Sequence, residues 1–227
     1  MDEGRVEDDH GGPDLPHPED VVGEDEVGER QSRGLPFLLV GAGVLGLVAA
    51  MMLTIDRFRL LVDRDVELGC TLSPFIACGP VMSSRAGELL GFPNPLLGVI
   101  GFTLLLTTGV ALLAGARLRP WFWRGLQLGV VLAAVFITWL QVQSLYVIGA
   151  LCLWCLLVWT VTIPVVVAVT LHNLAAGHLG KRAAPVGRRL RPWTATVVAV
   201  WYLVVLSAIA LRFYRDFALF WFGVVLS

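Results

Sequence analysis

The sequence feature that most limits the fold is a stretch over residues 125–180 that contains no Asp, Glu, Lys or Arg. A single transmembrane helix needs only about 20 apolar residues, because each residue adds about 1.5 Å along the helix axis. The stretch is therefore too long for one span, and the polar residues 141–144 offer a place to divide it. We predict a hairpin of two spans, the third over residues 121–143 and the fourth over residues 148–171.

Further apolar runs lie on both sides of this hairpin. The chain is 56% hydrophobic and 15% charged, and its charges lie at the ends of the runs, which is typical of an integral membrane protein. We predict a first span over residues 35–55, a second over 95–116 and a fifth over 192–211. Residues 217–227 extend the fifth helix or lie in the membrane interface. The predicted fold class is all-α integral membrane.

The remaining segments are polar. Residues 1–34 hold most of the acids and almost no apolar residues, which predicts a disordered cytoplasmic tail. The first apolar run follows so long a polar lead that it is predicted to be an anchor and not a cleaved signal. Residues 35–171 form the predicted four-helix domain, which includes a loop and half-helix over 56–94. Residues 172–191 are predicted to be a basic loop, and residues 192–227 hold the fifth span.

The distribution of basic residues predicts the orientation. Three arginines follow the second span and five basic residues lie in 172–191, whereas the segment between the third and fourth spans has none. Because Lys and Arg are enriched in cytoplasmic loops, the N-terminus is predicted to be cytoplasmic in the cell membrane. Three arginines in the loop over residues 56–80 oppose this count, but four acids accompany them. This loop and the start of the fourth span are then extracytoplasmic.

The chain has four cysteines, and the predicted topology brings them to one side of the membrane: Cys70, Cys78, Cys152 and Cys155. Cys152 and Cys155 share a helix face, so their side chains can approach disulfide distance. A helix N-terminus favours the thiolate, which is the reactive form. Cys152 lies nearer the water and is the expected exchanger, whereas Cys155 lies one turn deeper, where a lipid-soluble electron acceptor can reach it. The pattern indicates a membrane thiol oxidoreductase.

Three other interpretations remain open at this point. The cysteines can be inert buried residues or structural disulfides in a non-enzymatic membrane scaffold. A zinc site is disfavoured, because four-cysteine sites usually use two closely spaced pairs and Cys70 and Cys78 are separated by seven residues; no metal is expected. A proton-coupled transporter is also disfavoured, because no acid lies in the predicted hydrocarbon core.

The order of motifs over residues 36–171 resembles the vitamin K epoxide reductase family. The matching features are the loop cysteines, the Ser-Ser pair ending at Ser84, the Pro-Asn-Pro-Leu-Leu-Gly run over residues 93–98, and the Cys-Leu-Trp-Cys motif over residues 152–155. The resemblance implies a four-helix bundle around a quinone of the menaquinone, ubiquinone or vitamin K type. It also implies a relay in which Cys70 accepts electrons, Cys78 attacks the Cys152–Cys155 disulfide, and Cys155 reacts with the quinone.

The resemblance further implies that Ser84 and Asn94 hydrogen-bond the quinone, although both can instead be ordinary turn residues. Trp159 stands where animal members have Tyr and is included as a quinone contact. A fifth span leads to a fused thioredoxin-like domain in some bacterial members. Here the sequence ends at Ser227, so we expect a separate secreted thioredoxin-fold oxidase as the partner and no nucleic acid. The expected function is reoxidation of that partner in support of disulfide formation; reduction of vitamin K or its epoxide is the alternative.

Overall fold

The computed structural model describes the backbone of residues 18–63, 68–70, 76–88 and 91–222, and within these ranges the side chains of all residues except 18–33, 85 and 215–222. The chain divides into a unit of residues 1–34 and a unit of residues 35–227. The helical elements, in chain order, are α1 (Pro18–Val62), α2 (Cys78–Ser83), a 3-10 turn (Arg85–Gly87), α3 (Pro95–Leu113), α4 (Pro120–Val142), a π-helical segment (Gln143–Ile148), α5 (Leu153–Ala175), α6 (Ala184–Leu190), a second 3-10 turn (Arg191–Trp193) and α7 (Thr194–Phe222).

Five of these helical stretches are long and apolar enough to cross a membrane: Gly34–Val62, Pro95–Leu113, Pro120–Ile148, Leu153–Ala175 and Ala184–Tyr214. An α-helix satisfies its backbone hydrogen bonds internally, which a chain in hydrocarbon requires. Within the described ranges, the β-type pairing consists of one bridge between Ile76 and Leu151. The predicted all-α membrane fold with five spans is therefore confirmed.

Several boundaries differ from the sequence-based prediction. The first span continues to Val62, so residues 56–62, predicted to open the polar loop, are helical. The fourth helix begins at Leu153 and not at residue 148, because the π-helical segment prolongs α4 until Gly149, whose φ of 69° ends it. The fifth helix continues to Phe222. This agrees with the first of the two alternatives for residues 217–227, extension of the fifth helix, as far as residue 222; residues 223–227 lie outside the described ranges.

Two segments predicted to lack regular structure contain helix. For the tail over residues 1–34, residues 1–17 lie outside the described part of the chain, but the backbone is helical from Pro18 onward. Glu, Arg and Gln favour helix, and extending an existing helix needs no new nucleus. The predicted basic loop over 172–191 includes the end of α5 and all of α6. There Gly187 faces the backbone of Leu174 and Ala175 at a distance that leaves no space for a Cβ.

Small residues allow α1 and α3 to pack closely. A Cβ added at Gly46 would overlap the ring of Phe102, and one added at Gly109 would lie 2.8 Å from Val40 Cγ2. Such contacts are typical of membrane helices, because lipid removes the hydrophobic drive for association and leaves van der Waals packing to hold the helices together. Phe102 also belongs to the buried core that α1, α3, α4 and α5 share.

The helices α4 and α5 run antiparallel along one face of the bundle. Gln127 Nε2 donates a hydrogen bond to Thr170 Oγ1 over 3.0 Å, and further along α4 Ile137 packs with Trp159. Moving toward the C-terminus of α4 therefore corresponds to moving toward the N-terminus of α5. We call the end of the bundle where α4 ends and α5 begins the cysteine end, since Cys152 and Cys155 lie there.

Candidate active site

The structure brings the four cysteines together at the cysteine end. Cys70, Cys78 and Cys152 are buried in a single cluster with apolar residues of α1 and α2, and Cys155 packs against this cluster. Cys78 is the first residue of α2, Cys152 directly precedes α5, and Cys155 lies in the first turn of α5. Two pairs that are far apart in sequence therefore lie in one cluster.

The two pairs are in different redox states. Cys70 and Cys78 form a disulfide, whereas Cys152 and Cys155 are free thiols. Cys152 Sγ lies 3.0 Å from Cys78 Sγ. Thiol–disulfide exchange proceeds by attack of a thiolate on a disulfide sulfur, and this distance places the free sulfur in contact with the sulfur that it can attack. The arrangement can pass a disulfide from one pair to the other.

A backbone pairing aligns these two sulfurs. The Ala77 N–H donates a 2.9 Å hydrogen bond to the Leu151 carbonyl oxygen, and Ile76 pairs with Leu151 in a parallel bridge. Each of the paired segments is followed at once by its cysteine, Cys78 or Cys152. The pairing therefore fixes the cysteines side by side.

The turn before Cys152 has its own supports. Gly149 has a φ of 69°, a conformation that glycine adopts without steric penalty. Its N–H donates a 3.0 Å hydrogen bond to the Ser144 carbonyl oxygen, and the buried Ser144 hydroxyl donates to the Ala150 carbonyl oxygen. Ser144 and Gly149 were not among the predicted site residues. The available signal was that Ser144 is one of the polar residues 141–144 and that Gly149 lies shortly before the Cys-x-x-Cys motif.

Local electrostatics activate Cys152. A hydrogen bond with the Cys155 side chain lowers the pKa of Cys152, and the backbone N–H groups of Cys155 and Trp154 lower it further. Burial and the negative charge of Asp56 act in the opposite direction, but the net shift of the pKa is downward. The result agrees with the expectation that the N-terminus of α5 favours the thiolate of Cys152.

Charged residues at the end of α1 also lie at the site, although the sequence predicted that they belong to a polar loop. Arg57 Nη1 donates a 2.8 Å hydrogen bond to the Met82 carbonyl oxygen, and Arg57 also pairs with the Glu88 carboxylate. These contacts tie the segment that contains α2 to α1. Asp56 is buried, and its Oδ2 lies 4.0 Å from Cys70 Sγ. Charges directly after an apolar run were the only signal for these roles.

The three predicted quinone contacts lie in different surroundings. The Ser84 hydroxyl donates to the Val81 carbonyl oxygen over 2.7 Å, and the buried Asn94 side chain donates from Nδ2 to the Ala86 carbonyl oxygen over 2.6 Å. These hydrogen bonds are the ones expected of turn residues. Trp159 is buried in a cluster that Cys155 and residues of α7 also contact. Quinone binding by these three residues stays a prediction.

Another buried polar side chain lies near the C-terminal end of α4. Gln141 is buried, and its Nε2 has no hydrogen-bond partner among the residues that the structure describes. It lies one turn beyond Ile137 on the same face of α4, and Ile137 packs with Trp159. Because α4 and α5 are antiparallel, moving one turn forward along α4 from Ile137 corresponds to moving one turn back along α5 from Trp159. The residue one turn before Trp159 is Cys155. We therefore infer that Gln141 lies level with Cys155.

Comparison with known proteins agrees with this geometry. A model of the vitamin K epoxide reductase family matches residues 37–170, which is more than half of the chain and includes all four cysteines. No curated protein matches with significance. The matched range agrees with the resemblance found in the sequence motifs over residues 36–171. The chain therefore belongs to the vitamin K epoxide reductase family, a family of helical membrane oxidoreductases.

Proposed function

We propose that this protein moves electrons from a thiol partner to a membrane quinone through its two cysteine pairs. The observation that carries the proposal is the 3.0 Å distance between the sulfurs of Cys78 and Cys152, one from each pair. A disulfide and a pair of free thiols in contact are the two halves of an exchange reaction. A non-enzymatic scaffold with a structural disulfide does not require a second, reduced cysteine pair in contact with that disulfide.

The relay has four exchange steps. A thiolate of the reduced partner attacks Cys70, forms a mixed disulfide and releases the Cys78 thiolate. Cys78 then attacks Cys152 of the Cys152–Cys155 disulfide and releases the Cys155 thiolate. The second thiolate of the partner resolves the mixed disulfide, so that Cys70 leaves and becomes a thiol. Cys70 finally attacks Cys78, closes the Cys70–Cys78 disulfide and releases Cys152.

This sequence of steps ends in the redox state that the structure has. The Cys70–Cys78 pair is a disulfide, while Cys152 and Cys155 are thiols. Two electrons have moved from the dithiol of the partner to the second pair, and the partner has become a disulfide. The Cys152–Cys155 pair is then ready to give up its electrons.

The residues around Cys155 fit a quinone. Cys155 is half-buried beside apolar residues. Gln141 Nε2 is a buried donor without an acceptor in the described part of the chain, and a quinone carbonyl would supply one. Ser84, Asn94 and Trp159 are the further contacts that the family resemblance implies. A bound quinone, of the menaquinone, ubiquinone or vitamin K type, supplies the two-electron, two-proton acceptor that returns Cys152 and Cys155 to a disulfide.

The partner that we propose is a separate secreted thioredoxin-fold oxidase, so that the protein sustains disulfide formation outside the cytoplasm. The distribution of basic residues supports a cytoplasmic N-terminus and an extracytoplasmic cysteine end in the cell membrane. Cys70 is only 2% exposed, so the segment Leu68–Cys70 has to move before a partner thiolate can reach this sulfur. Electron transfer to Cys70 is therefore coupled to a local opening.

Trapping the partner tests this function. In the Cys78→Ala variant, Cys70 keeps its thiol but loses the cysteine that would resolve a mixed disulfide. The partner is a purified thioredoxin-fold protein whose Cys-x-x-Cys site keeps only its first cysteine, activated as a mixed disulfide with thionitrobenzoate. Attack by the Cys70 thiolate releases thionitrobenzoate and should give a covalent adduct on a non-reducing gel, since neither the Cys70–Cys78 pair nor the partner site has a second cysteine left to resolve it. A variant with both Cys70 and Cys78 replaced by Ala is the matched control and should give none. Equal adduct yields in the two variants would contradict the role of Cys70.

A further inference from the structure

The acid Asp56 occupies an unusual position at the cysteine end. Three acids have described side chains: Asp56, Asp63 and Glu88. Of these, only Asp56 is buried, with 8% of its surface exposed, whereas Asp63 and Glu88 are exposed. A carboxylate is rarely removed from water unless a partner compensates for the lost hydration. The surroundings of Asp56 therefore indicate what the side chain does.

Asp56 has one cation and one cysteine beside its two oxygens. Oδ1 lies 3.8 Å from Arg59 Nη1, and the Arg59 side chain is 63% exposed. Oδ2 lies 4.0 Å from Cys70 Sγ. In the present state Cys70 is part of a disulfide, so its sulfur carries no proton. Once Cys70 is reduced, the same contact joins a thiol donor to a carboxylate acceptor.

The relay in the proposed function, on which this inference rests, creates such a thiol. After the partner has left, Cys70 is a thiol and has to lose its proton before it can attack Cys78, because only the thiolate is the nucleophile. Cys70 is buried, which hinders direct proton transfer to water. A base in contact with the Cys70 sulfur removes this difficulty.

We propose that Asp56 is the catalytic base that takes the proton from the Cys70 thiol in the step that closes the Cys70–Cys78 disulfide. The Cys70 S–H bond breaks and its proton moves to Asp56 Oδ2. The Cys70 thiolate attacks Cys78, the Cys70–Cys78 bond forms, the Cys78–Cys152 bond breaks, and the electron pair leaves with Cys152. Cys70 and Cys78 are thereby oxidised as a pair, Cys152 is reduced, and no outside oxidant is needed.

Proton transfer to Asp56 also assists the leaving group. The negative charge of Asp56 raises the pKa of Cys152. When Asp56 accepts the proton this charge disappears, at the moment when Cys152 has to leave as a thiolate. Transfer of one proton therefore generates the nucleophile and stabilises the leaving group.

The experiment measures this exchange step without quinone. The full-length Cys155→Ala chain is oxidised to a single disulfide, which can be Cys78–Cys152 or Cys70–Cys78. A jump from acidic to mildly alkaline buffer starts relaxation between the two forms, and acid quenching followed by alkylation and mass spectrometry counts free Cys70 and Cys152. Adding Asp56→Asn should slow the relaxation on the order of 10²-fold, the lower end of the usual contribution of a general base.

Further variants separate a base from a structural residue. Asp56→Glu should restore most of the rate, and Asp63→Asn, which removes an exposed acid just past α1, should leave the rate unchanged. Arg59→Gln should move the pH profile of the rate toward higher pH, because a neighbouring cation favours the carboxylate; this variant keeps Asp56, so it remains informative if Asp56→Asn does not fold.

Two outcomes would overturn the proposal: relaxation of Asp56→Asn at the parent rate, or an Arg59→Gln profile identical to that of the parent. The assay contains no quinone and no partner protein. A failure of quinone reduction or of partner trapping would therefore count against the proposed function, whereas the relaxation rate tests only the role of Asp56.

Discussion

The turn at Gly149 allows a quantitative test of how the fold positions Cys152. Gly149 has a φ of 69°, and a residue with a Cβ in this left-handed conformation is disfavoured by about 1–2 kcal/mol. A Cβ at this position would have as its nearest neighbour Arg212 Nη2 at 3.5 Å, which is an ordinary contact. Gly149→Ala therefore introduces backbone strain without a steric clash. For a chain of this length the strain should lower the thermal midpoint by roughly 2–8 °C.

Thermal unfolding in detergent, followed by circular dichroism, measures this effect. Gly129→Ala is the matched control, because Gly129 lies within α4 and has nothing within 4 Å of an added Cβ. There the same change should stabilise the protein by about 0.5–1 kcal/mol, as alanine favours helix. Identical midpoints for Gly149→Ala and Gly129→Ala would refute the idea that the left-handed turn requires glycine.

Three further outcomes follow from the contacts at the two ends of the bundle. Cys155→Ala should abolish reduction of a short-chain quinone. Cys70→Ala should block only electron transfer from a protein partner, so a chemically reduced Cys152–Cys155 pair should still reduce the quinone. Cys155→Ala also removes the hydrogen bond that lowers the pKa of Cys152, so thiolate absorbance should show Cys152 ionising at higher pH than in the parent; an unchanged midpoint would contradict this cause. Asn173→Ala removes a buried donor to Trp123 O and Gln127 Oε1 and should destabilise the protein by about 2 kcal/mol in a thermal unfolding assay.

The parts of the fold that the sequence predicted are those that the membrane itself constrains. Hydrocarbon thickness sets the length of a span, so the charge-free residues 125–180 had to form a helical hairpin. The placement of all four cysteines at one end followed from counting spans between them. Neither inference required knowledge of which helices touch.

The family resemblance implied that Cys78 meets the Cys152–Cys155 pair, but the backbone contact that aligns Cys78 with Cys152 could not be predicted. The alignment depends on one backbone hydrogen bond between Ala77 and Leu151, which joins segments far apart in sequence and involves no distinctive side chain. The start of α5 was likewise misplaced, because the helix continues as a π-helical segment through the polar Gln143 and Ser144, which the prediction took as the break, and ends only at the left-handed Gly149. Apolar periodicity carries no information about either feature.

The charged residues were missed for a different reason. Arg57 and Asp56 directly follow an apolar span, where solvated charges are common, and composition alone favoured a polar loop. In the structure α1 continues past them, which directs Asp56 toward Cys70 and Arg57 toward Met82 and Glu88. Their roles depend on the helical path of the backbone and not on residue type.

A count of free thiols tests the proposed quinone reduction most directly. The purified, fully reduced protein has four thiols, and it is mixed anaerobically with an excess of a short-chain naphthoquinone before alkylation and mass spectrometry. We expect all four thiols to disappear, with two quinones reduced per chain, because each pair gives up two electrons. In Cys155→Ala the quinone should remain oxidised. Persistence of all four thiols in the parent protein, in the presence of excess quinone, would contradict the relay.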